Sequence, residues 1–295
     1  MSKAVVGCVG LGLMGEGITR RLIETGHTVA GYDIVPAKVA AATKWGVDAR
    51  ASPADVARGA DIVLLSVTST AAVEAAVLGE RGIASAGRLE GKVVVDHSTT
   101  KIDTTKRIAA ALSAATAMSF VDAPVSGGPE AALQGRLAIM AGGETAAIQR
   151  IAPVMVQLGR LTHMGAVGAG QATKLVNQTL VLSNYCVIAE ALRLAEAYGV
   201  DAAKIPAALA SGHAGSNLLP VLFERMIARD FTPKGYARQV LKDLEMLHEA
   251  AGARHLTMPM AAQALTLFRL LVAQGKSELD GTAILTLYPE PTRQQ

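Results

Sequence analysis

Hydrophobic positions follow two different rhythms along this chain. In the first half, short apolar runs of strand length recur, each followed by a polar stretch or a segment with helical spacing. Residues 4–9 form the first run, and residues 16–25 follow it with Ile18, Leu22 and Ile23 at helical intervals before Gly26. Runs at 27–32, 61–67, 92–96, 120–125 and 137–141 repeat the strand pattern, and 161–164 adds a short last one. Helices are predicted over 70–77 and 104–114. Strands alternating with helices predict a parallel, doubly wound α/β sheet with helices on both faces.

The rhythm changes near Gly165. Residues 171–198 contain neither glycine nor proline, a run of about 42 Å if wholly helical. Helical patterns then continue over 202–211, 218–228, 237–251 and 258–274. Glycines at 165, 168 and 170 mark the change, and Gly199 marks the end of the long helix. The expected architecture is an N-terminal Rossmann-type doubly wound parallel sheet over residues 1–164, followed by an all-α domain over 165–295.

The turn after the first run carries the strongest chemical signal. It reads Gly10-Leu11-Gly12-Leu13-Met14-Gly15 between a strand and a helix. In that setting Gly10 makes the tight turn, Gly12 lets the backbone approach a pyrophosphate, and Gly15 lets helix and strand pack closely. The helix N-terminus adds unpaired N–H groups and a positive dipole end. Asp33 closes the second run about 20 residues on, where a carboxylate accepts the ribose hydroxyls and repels a 2′-phosphate. Ile34, Val35 and Pro36 follow, with no arginine among them. NAD is therefore the expected cofactor, with NADP the second choice.

Composition narrows the remaining classes. A net charge of +3 with scattered basic residues gives no support for nucleic-acid binding. Cys8 and Cys186 lie in apolar segments and form no disulfide framework, as in a reducing cytoplasm. No charged-then-apolar leader precedes the first run, so no signal peptide is expected. Asn177, Gln178, Asn184 and Glu190 interrupt the long helix, so no membrane span is expected there. The six histidines lack ligand spacing, and no metal site is expected.

Three further clusters hold candidate chemistry. Asp122-Ala-Pro-Val-Ser126-Gly127-Gly128 runs from a strand into a loop with free backbone N–H groups, which suits a carboxylate; an ordinary strand-to-loop turn is the plain alternative. Lys174, Asn177 and Gln178 share one helix face. A partly buried lysine there has a depressed pKa and can exchange the proton of a hydroxyl–carbonyl interconversion. A solvated polar stripe is the alternative. Lys242-Asp243 is the third, and such pairs are common on solvated helix faces.

Taken together, four blocks resemble the β-hydroxyacid dehydrogenase family, which includes 3-hydroxyisobutyrate dehydrogenase and 2-hydroxy-3-oxopropionate (tartronate semialdehyde) reductase. They are the glycine turn at 10–15, the segment 122–128, the segment Gly165-Ala-Val-Gly-Ala-Gly-Gln-Ala-Thr-Lys174-Leu-Val-Asn177-Gln178, and Lys242-Asp-Leu244. The resemblance implies that Lys174 is the general acid/base. It implies that Ser126, Gly127 and Gly128 cradle the substrate carboxylate, and that Asn177 and Gln178 position the substrate. Ser66, Val67 and Thr68 match a loop lining the cofactor, Ser98 and Thr99 an element beside the nicotinamide, and Lys242 a lysine that closes over it. The implied reaction is hydride transfer between NAD and a small 3-hydroxy acid or its semialdehyde partner, in a cytoplasmic homodimer or homotetramer.

Some positions depart from the family pattern. Ala131 stands where a glycine is usual, Arg136 where a threonine is usual, and Asn217 where many members carry tryptophan. Gly235-Tyr236 lies one residue later than the usual Gly-Phe pair. These departures bear on substrate identity. An imine reductase and a non-catalytic nucleotide-binding oligomerisation module are the alternative functions, and retention of Lys174 with Ser126-Gly127-Gly128 argues against both.

Overall fold

In the computed structural model, which describes residues 3–291, the apolar runs of the first half become a nine-stranded sheet. β1 (Val6–Val9), β2 (Val29–Tyr32), β3 (Asp48–Ala49), β4 (Ile62–Leu65), β5 (Val93–Asp96) and β6 (Ser119–Asp122) are parallel, in the order β3-β2-β1-β4-β5-β6. Strand order reverses beside β1, and sheets of this type leave a ligand crevice beyond the carboxyl ends at that point. Every residue of β1, β4 and β5 is buried, as strands covered on both faces must be. One face packs against Leu13–Glu24 and Thr145–Leu158 through Ile18, Leu22, Ile151 and Met155. The other packs against Pro53–Gly59, Thr70–Leu78 and Ile102–Thr116 through Val56, Val73, Ile108 and Leu112.

The far edge departs from a wholly parallel sheet. The apolar run at 120–125 is not one strand: it breaks after Asp122 and resumes as β7 (Val125–Ser126). Pro124 lies in the break and has no N–H to give a ladder. β8 (Leu137–Gly142) pairs antiparallel with both pieces in one continuous register, with Asp122 opposite Gly142 and Ser126 opposite Ala138. The intervening residues hold only the short helix Gly128–Leu133, too little chain for a parallel crossover. The helix Thr145–Leu158 does supply a crossover, and β9 (Gly159–Gly165) returns parallel to β8.

Two compact units meet in the chain between Lys174 and Leu175, inside the long helix Ala169–Ala197. The second unit contains Leu218–Ile227, Ala237–Gly252 and Pro259–Ala273, with a core around Phe223, Met226, Leu244 and Phe268. The helix expected at 202–211 is a 3₁₀ turn, Ala202–Lys204, followed by Ile205–Leu209. Pro206 lies in the first turn of that second piece, where its missing N–H costs nothing but prevents one continuous helix. A buried ion pair braces this unit: Arg225 Nη1 lies 2.9 Å from Asp280 Oδ1. Asp280 Oδ2 accepts the backbone N–H groups of Lys234 (2.8 Å) and Gly235 (2.9 Å), which fixes the approach to the helix Ala237–Gly252.

Candidate active site

Each glycine of the first turn has a different surrounding. Gly10 sits at φ +96°, and a Cβ on it would lie 2.2 Å from the Ser66 carbonyl oxygen. A Cβ on Gly15 would lie 2.0 Å from the Gly10 carbonyl oxygen, so helix and turn are in backbone contact. Gly12 faces open space, its nearest neighbour being Lys38 Nζ at 3.6 Å. It is also the N-cap of Leu13–Glu24 and has no side chain to satisfy the first N–H groups of that helix. An open glycine under an uncapped helix end fits a pyrophosphate.

Asp33 is tied to the same turn. Its Oδ2 accepts the Leu11 N–H at 2.7 Å, its Oδ1 accepts the Val35 N–H at 2.8 Å, and Lys38 Nζ lies 4.0 Å away. A carboxylate has about four acceptor positions, so two remain for ribose hydroxyls. Leu13 is exposed and Met14 packs half-buried against the first core. The loops after β4 and β5 meet where the Val67 N–H donates to Ser98 Oγ at 3.0 Å. Ser66 and Thr99 are half-buried, and Thr68 is exposed.

Beneath these loops lie two buried carboxyl groups, Asp96 and Asp122, opposite each other on β5 and β6. Burial pushes Asp96 up to about 7, and the Asp122 charge adds to this, while bonds from Ser98 and Thr100 oppose it. Burial pushes Asp122 up to about 6 against the backbone N–H groups of Gly168 and Gln171. His97 moves the other way: burial holds it down to about 4, with the Ala123 carbonyl opposing. Its Nδ1 bonds that carbonyl at 2.7 Å, and Nε2 is buried without a hydrogen-bond partner.

Lys174 lies on the long helix, 7% exposed, and its Nζ donates to the Val125 carbonyl at 2.9 Å. Ser126, Gly127 and Gly128 follow directly. Both glycines take positive φ, +129° and +76°, and a Cβ on Gly128 would have nothing within 4 Å. The ammonium and an open, glycine-lined backbone thus meet at one place, two groups that the sequence holds 49 residues apart.

A second polar cluster occupies the helical unit. Asn177 Nδ2 donates to Gln178 Oε1 at 2.8 Å, Gln178 Nε2 donates to Asp243 Oδ2 at 2.5 Å, and Lys242 Nζ lies 2.9 Å from Asp243 Oδ1. Asp243 therefore joins three sequence candidates, a role its place in a common Lys-Asp pair does not announce. Arg136 is exposed and donates to the Gln134 side chain. Tyr236 packs beneath the Arg238 guanidinium, 4.4 Å from its ring centre. Among the described residues no cluster of three His, Cys, Asp or Glu is arranged to hold a metal ion.

Comparison with known proteins gives consistent matches over almost the whole chain. Residues 5–170 match the NAD binding domain of 6-phosphogluconate dehydrogenase, and residues 168–288 match the NAD-binding family of NADP-dependent 3-hydroxyisobutyrate dehydrogenase. The chain is 35% identical to 2-hydroxy-3-oxopropionate reductase of Escherichia coli K12 over 281 residues, 95% of each protein. The crystal structure of 3-hydroxyisobutyrate dehydrogenase from Salmonella typhimurium is similar with a TM-score of 0.87 at 29% identity, covering 97% of this chain and all of that one. An imine reductase from Pseudomonas sp. shares the fold at a TM-score of 0.64 and 19% identity, covering 97% and 99% of the two chains.

Proposed function

We propose a division of labour among the residues of this chain from the premise that it belongs to the family of 3-hydroxyisobutyrate dehydrogenases and 2-hydroxy-3-oxopropionate reductases. It is an oxidoreductase that transfers hydride between a nicotinamide dinucleotide and a small 3-hydroxy acid or its semialdehyde partner. The bound dinucleotide supplies the hydride acceptor in one direction and the donor in the other.

The turn at 10–15 and the uncapped start of Leu13–Glu24 hold the pyrophosphate. Asp33 takes the ribose hydroxyls and favours NAD; Lys38, close to that carboxylate, offers a cation to the 2′-phosphate of NADP. Ser66, Val67 and Thr68, with Ser98 and Thr99, line the nicotinamide end. The backbone N–H groups at Ser126, Gly127 and Gly128 receive the substrate carboxylate. Lys174 accepts the hydroxyl proton during oxidation and returns it to the forming alkoxide during reduction. Asn177 and Gln178 orient the substrate, and Asp243 holds Gln178 and Lys242 in place.

The observation that carries this reading is the buried Lys174 ammonium bonded to Val125, next to the Ser126-Gly127-Gly128 backbone. The test is initial-rate NADH formation across small 3-hydroxy acids, with NAD and NADP, for the wild type and Lys174→Ala. Lys174→Ala is expected to lose about 10²–10⁴-fold in turnover, the usual worth of a proton-transfer residue, with NADH affinity nearly unchanged. Equal loss of turnover and of NADH binding would overturn the assignment.

A homodimer or homotetramer is part of the same proposal. Val176, Leu180, Val187 and Leu194 repeat at helical intervals along Ala169–Ala197 and are 47–64% exposed. By length and composition this helix also passes as a membrane span, but only a third of its most apolar stretch is buried. A second copy of the chain covering that stripe accounts for both facts, and light scattering of the purified protein tests it.

A further inference from the structure

We propose that Gln171 is a positioning residue that ties the segment 98–100 to the first turn of the helix bearing Lys174. The proposal rests on the reading of Lys174 as the proton-transferring group and of Ser98 and Thr99 as part of the nicotinamide wall.

Gln171 is 1% exposed, and both ends of its carboxamide are used. Oε1 accepts the Thr100 N–H at 3.0 Å, and Nε2 donates to the Ser98 carbonyl at 2.8 Å. Those two backbone groups flank Thr99, so one rigid amide plane fixes the segment at two points and sets its rotation as well as its position. Asp96 holds the segment from the strand below, with Oδ1 accepting the Ser98 N–H at 2.9 Å.

The helix start is pinned equally firmly. Asp122 Oδ1 accepts the Gly168 N–H at 2.7 Å, and Oδ2 accepts the Gln171 N–H at 2.8 Å. The socket is cut to that carboxylate: a Cβ on Gly142 would lie 2.7 Å from Asp122 Oδ1, and one on Gly170 2.4 Å from the Asp122 carbonyl oxygen. Gln171 thus joins two anchored bodies, the end of β5 and the helix start, through a single side chain. Lys174 is three residues further on, on the same helix face and about 4.5 Å along the axis. The path from the segment 98–100 to the ammonium therefore runs through backbone bonds and only two side chains. Hydride and proton move in the same reaction, and a misplacement of about 1 Å between reacting groups costs about 10²-fold in rate.

The experiment compares full-length wild type, Gln171→Glu and Gln171→Met. In the cofactor-free protein, amide exchange of the peptide containing Thr100 is expected to accelerate in Gln171→Met, because the bond protecting that N–H is gone. Turnover of Gln171→Met is expected to fall about 10²-fold, with the KM for the acid and the NADH affinity nearly unchanged. Gln171→Glu supplies the decisive reading. A protonated carboxyl supplies the one donor and one acceptor that the carboxamide uses here, so turnover recovers as pH falls, relative to a wild type that carries the same Asp96, His97, Asp122 and Lys174. Gln171→Met shows no such recovery.

If turnover falls only in step with melting temperature and acid does not restore Gln171→Glu, Gln171 is a structural plug and the proposal fails. It fails too if exchange accelerates while turnover stays at the wild-type value, or if neither variant folds at any pH. Lys174→Ala, assayed in parallel, separates these outcomes from a failure of the underlying reading, since retained turnover there would remove Lys174 from the chemistry whatever Gln171 does.

Discussion

The Lys174 ammonium donates to the Val125 carbonyl at 2.9 Å, immediately before Ser126. This bond draws a helix residue onto the loop that leads to Gly128, where a Cβ would meet nothing within 4 Å. If Lys174 is the proton-transferring group, as proposed, arginine cannot stand in for it, because a guanidinium keeps its charge at any working pH. Lys174→Arg is therefore expected to lose about as much turnover as Lys174→Ala, about 10²–10⁴-fold, despite its retained charge. Steady-state kinetics with NADH titration by fluorescence checks it; substantial activity in Lys174→Arg would mean that charge alone is needed.

Gly12 and Gly15 are expected to fail in different ways. Alanine at Gly15 would drive a Cβ to 2.0 Å from the Gly10 carbonyl oxygen, so helix and strand must separate and the fold suffers. Alanine at Gly12 meets nothing closer than the flexible end of Lys38 at 3.6 Å. Gly12→Ala should melt near the wild-type temperature yet bind NADH weakly, because its methyl group occupies the approach to the phosphates. Thermal melts paired with NADH titrations separate the two, and a Gly12→Ala protein that binds NADH normally would contradict the pyrophosphate assignment.

Asp96 and His97 are neighbours with opposite effects on stability as pH changes. Asp96 is raised from 3.8 to about 7, so between those values the native state keeps a proton that the unfolded chain has lost. Its contribution is full at the acid end of that window and is lost as pH rises through about 7. His97 is lowered from 6.5 to about 4, so there the unfolded chain binds the extra proton and stability rises with pH. Asp122, raised to about 6, acts in the same direction as Asp96. Asp96→Asn should therefore raise the slope of stability against pH between about pH 4 and 7, and His97→Asn should lower it between about pH 4 and 6.5, each by at most about 1.4 kcal/mol per pH unit. Urea midpoints across pH 4.5–7.5 read both slopes; unchanged slopes would show that neither group is buried as described.

The Arg225–Asp280 pair offers a test confined to the helical unit. Both side chains are nearly inaccessible, at 9% and 2% exposure. Asp280→Ala leaves the Arg225 guanidinium with only the half-exposed Asp230, 3.5 Å from its Nε, and should cost up to about 3–5 kcal/mol in a urea titration. Arg225→Met combined with Asp280→Ala should cost less than the sum of the single changes, because no buried charge is left alone. Strict additivity would show that the two groups do not depend on each other.

Local spacing carried much of this protein. Gly10 and Gly15 are readable because a tight turn and a close backbone approach each demand a glycine at a fixed offset. Strand and long-helix patterns are readable because burial on one face imposes a period. Some elements escaped: Pro36–Thr43, Pro53–Gly59 and Gly128–Leu133 are too brief for a period to stand out, and the fourteen-residue helix Thr145–Leu158 carries Pro153 inside it, which masks its pattern. The antiparallel pairing of β8 was hidden as well, since an apolar run has the same composition whichever way it runs.

By itself, then, the sequence determined the order of elements, the nucleotide turn and the residue types available for chemistry. Tertiary structure alone decided which of them meet. Asp122 reaches Gly168 across 46 residues, Val125 reaches Lys174 across 49, Gln178 reaches Asp243 across 65, and Gln171 reaches Ser98 across 73. No local rule encodes such partners. A hydrogen bond between distant residues forms only where the packed sheet and helices bring donor and acceptor within 3 Å, and burial then makes that pairing costly to break.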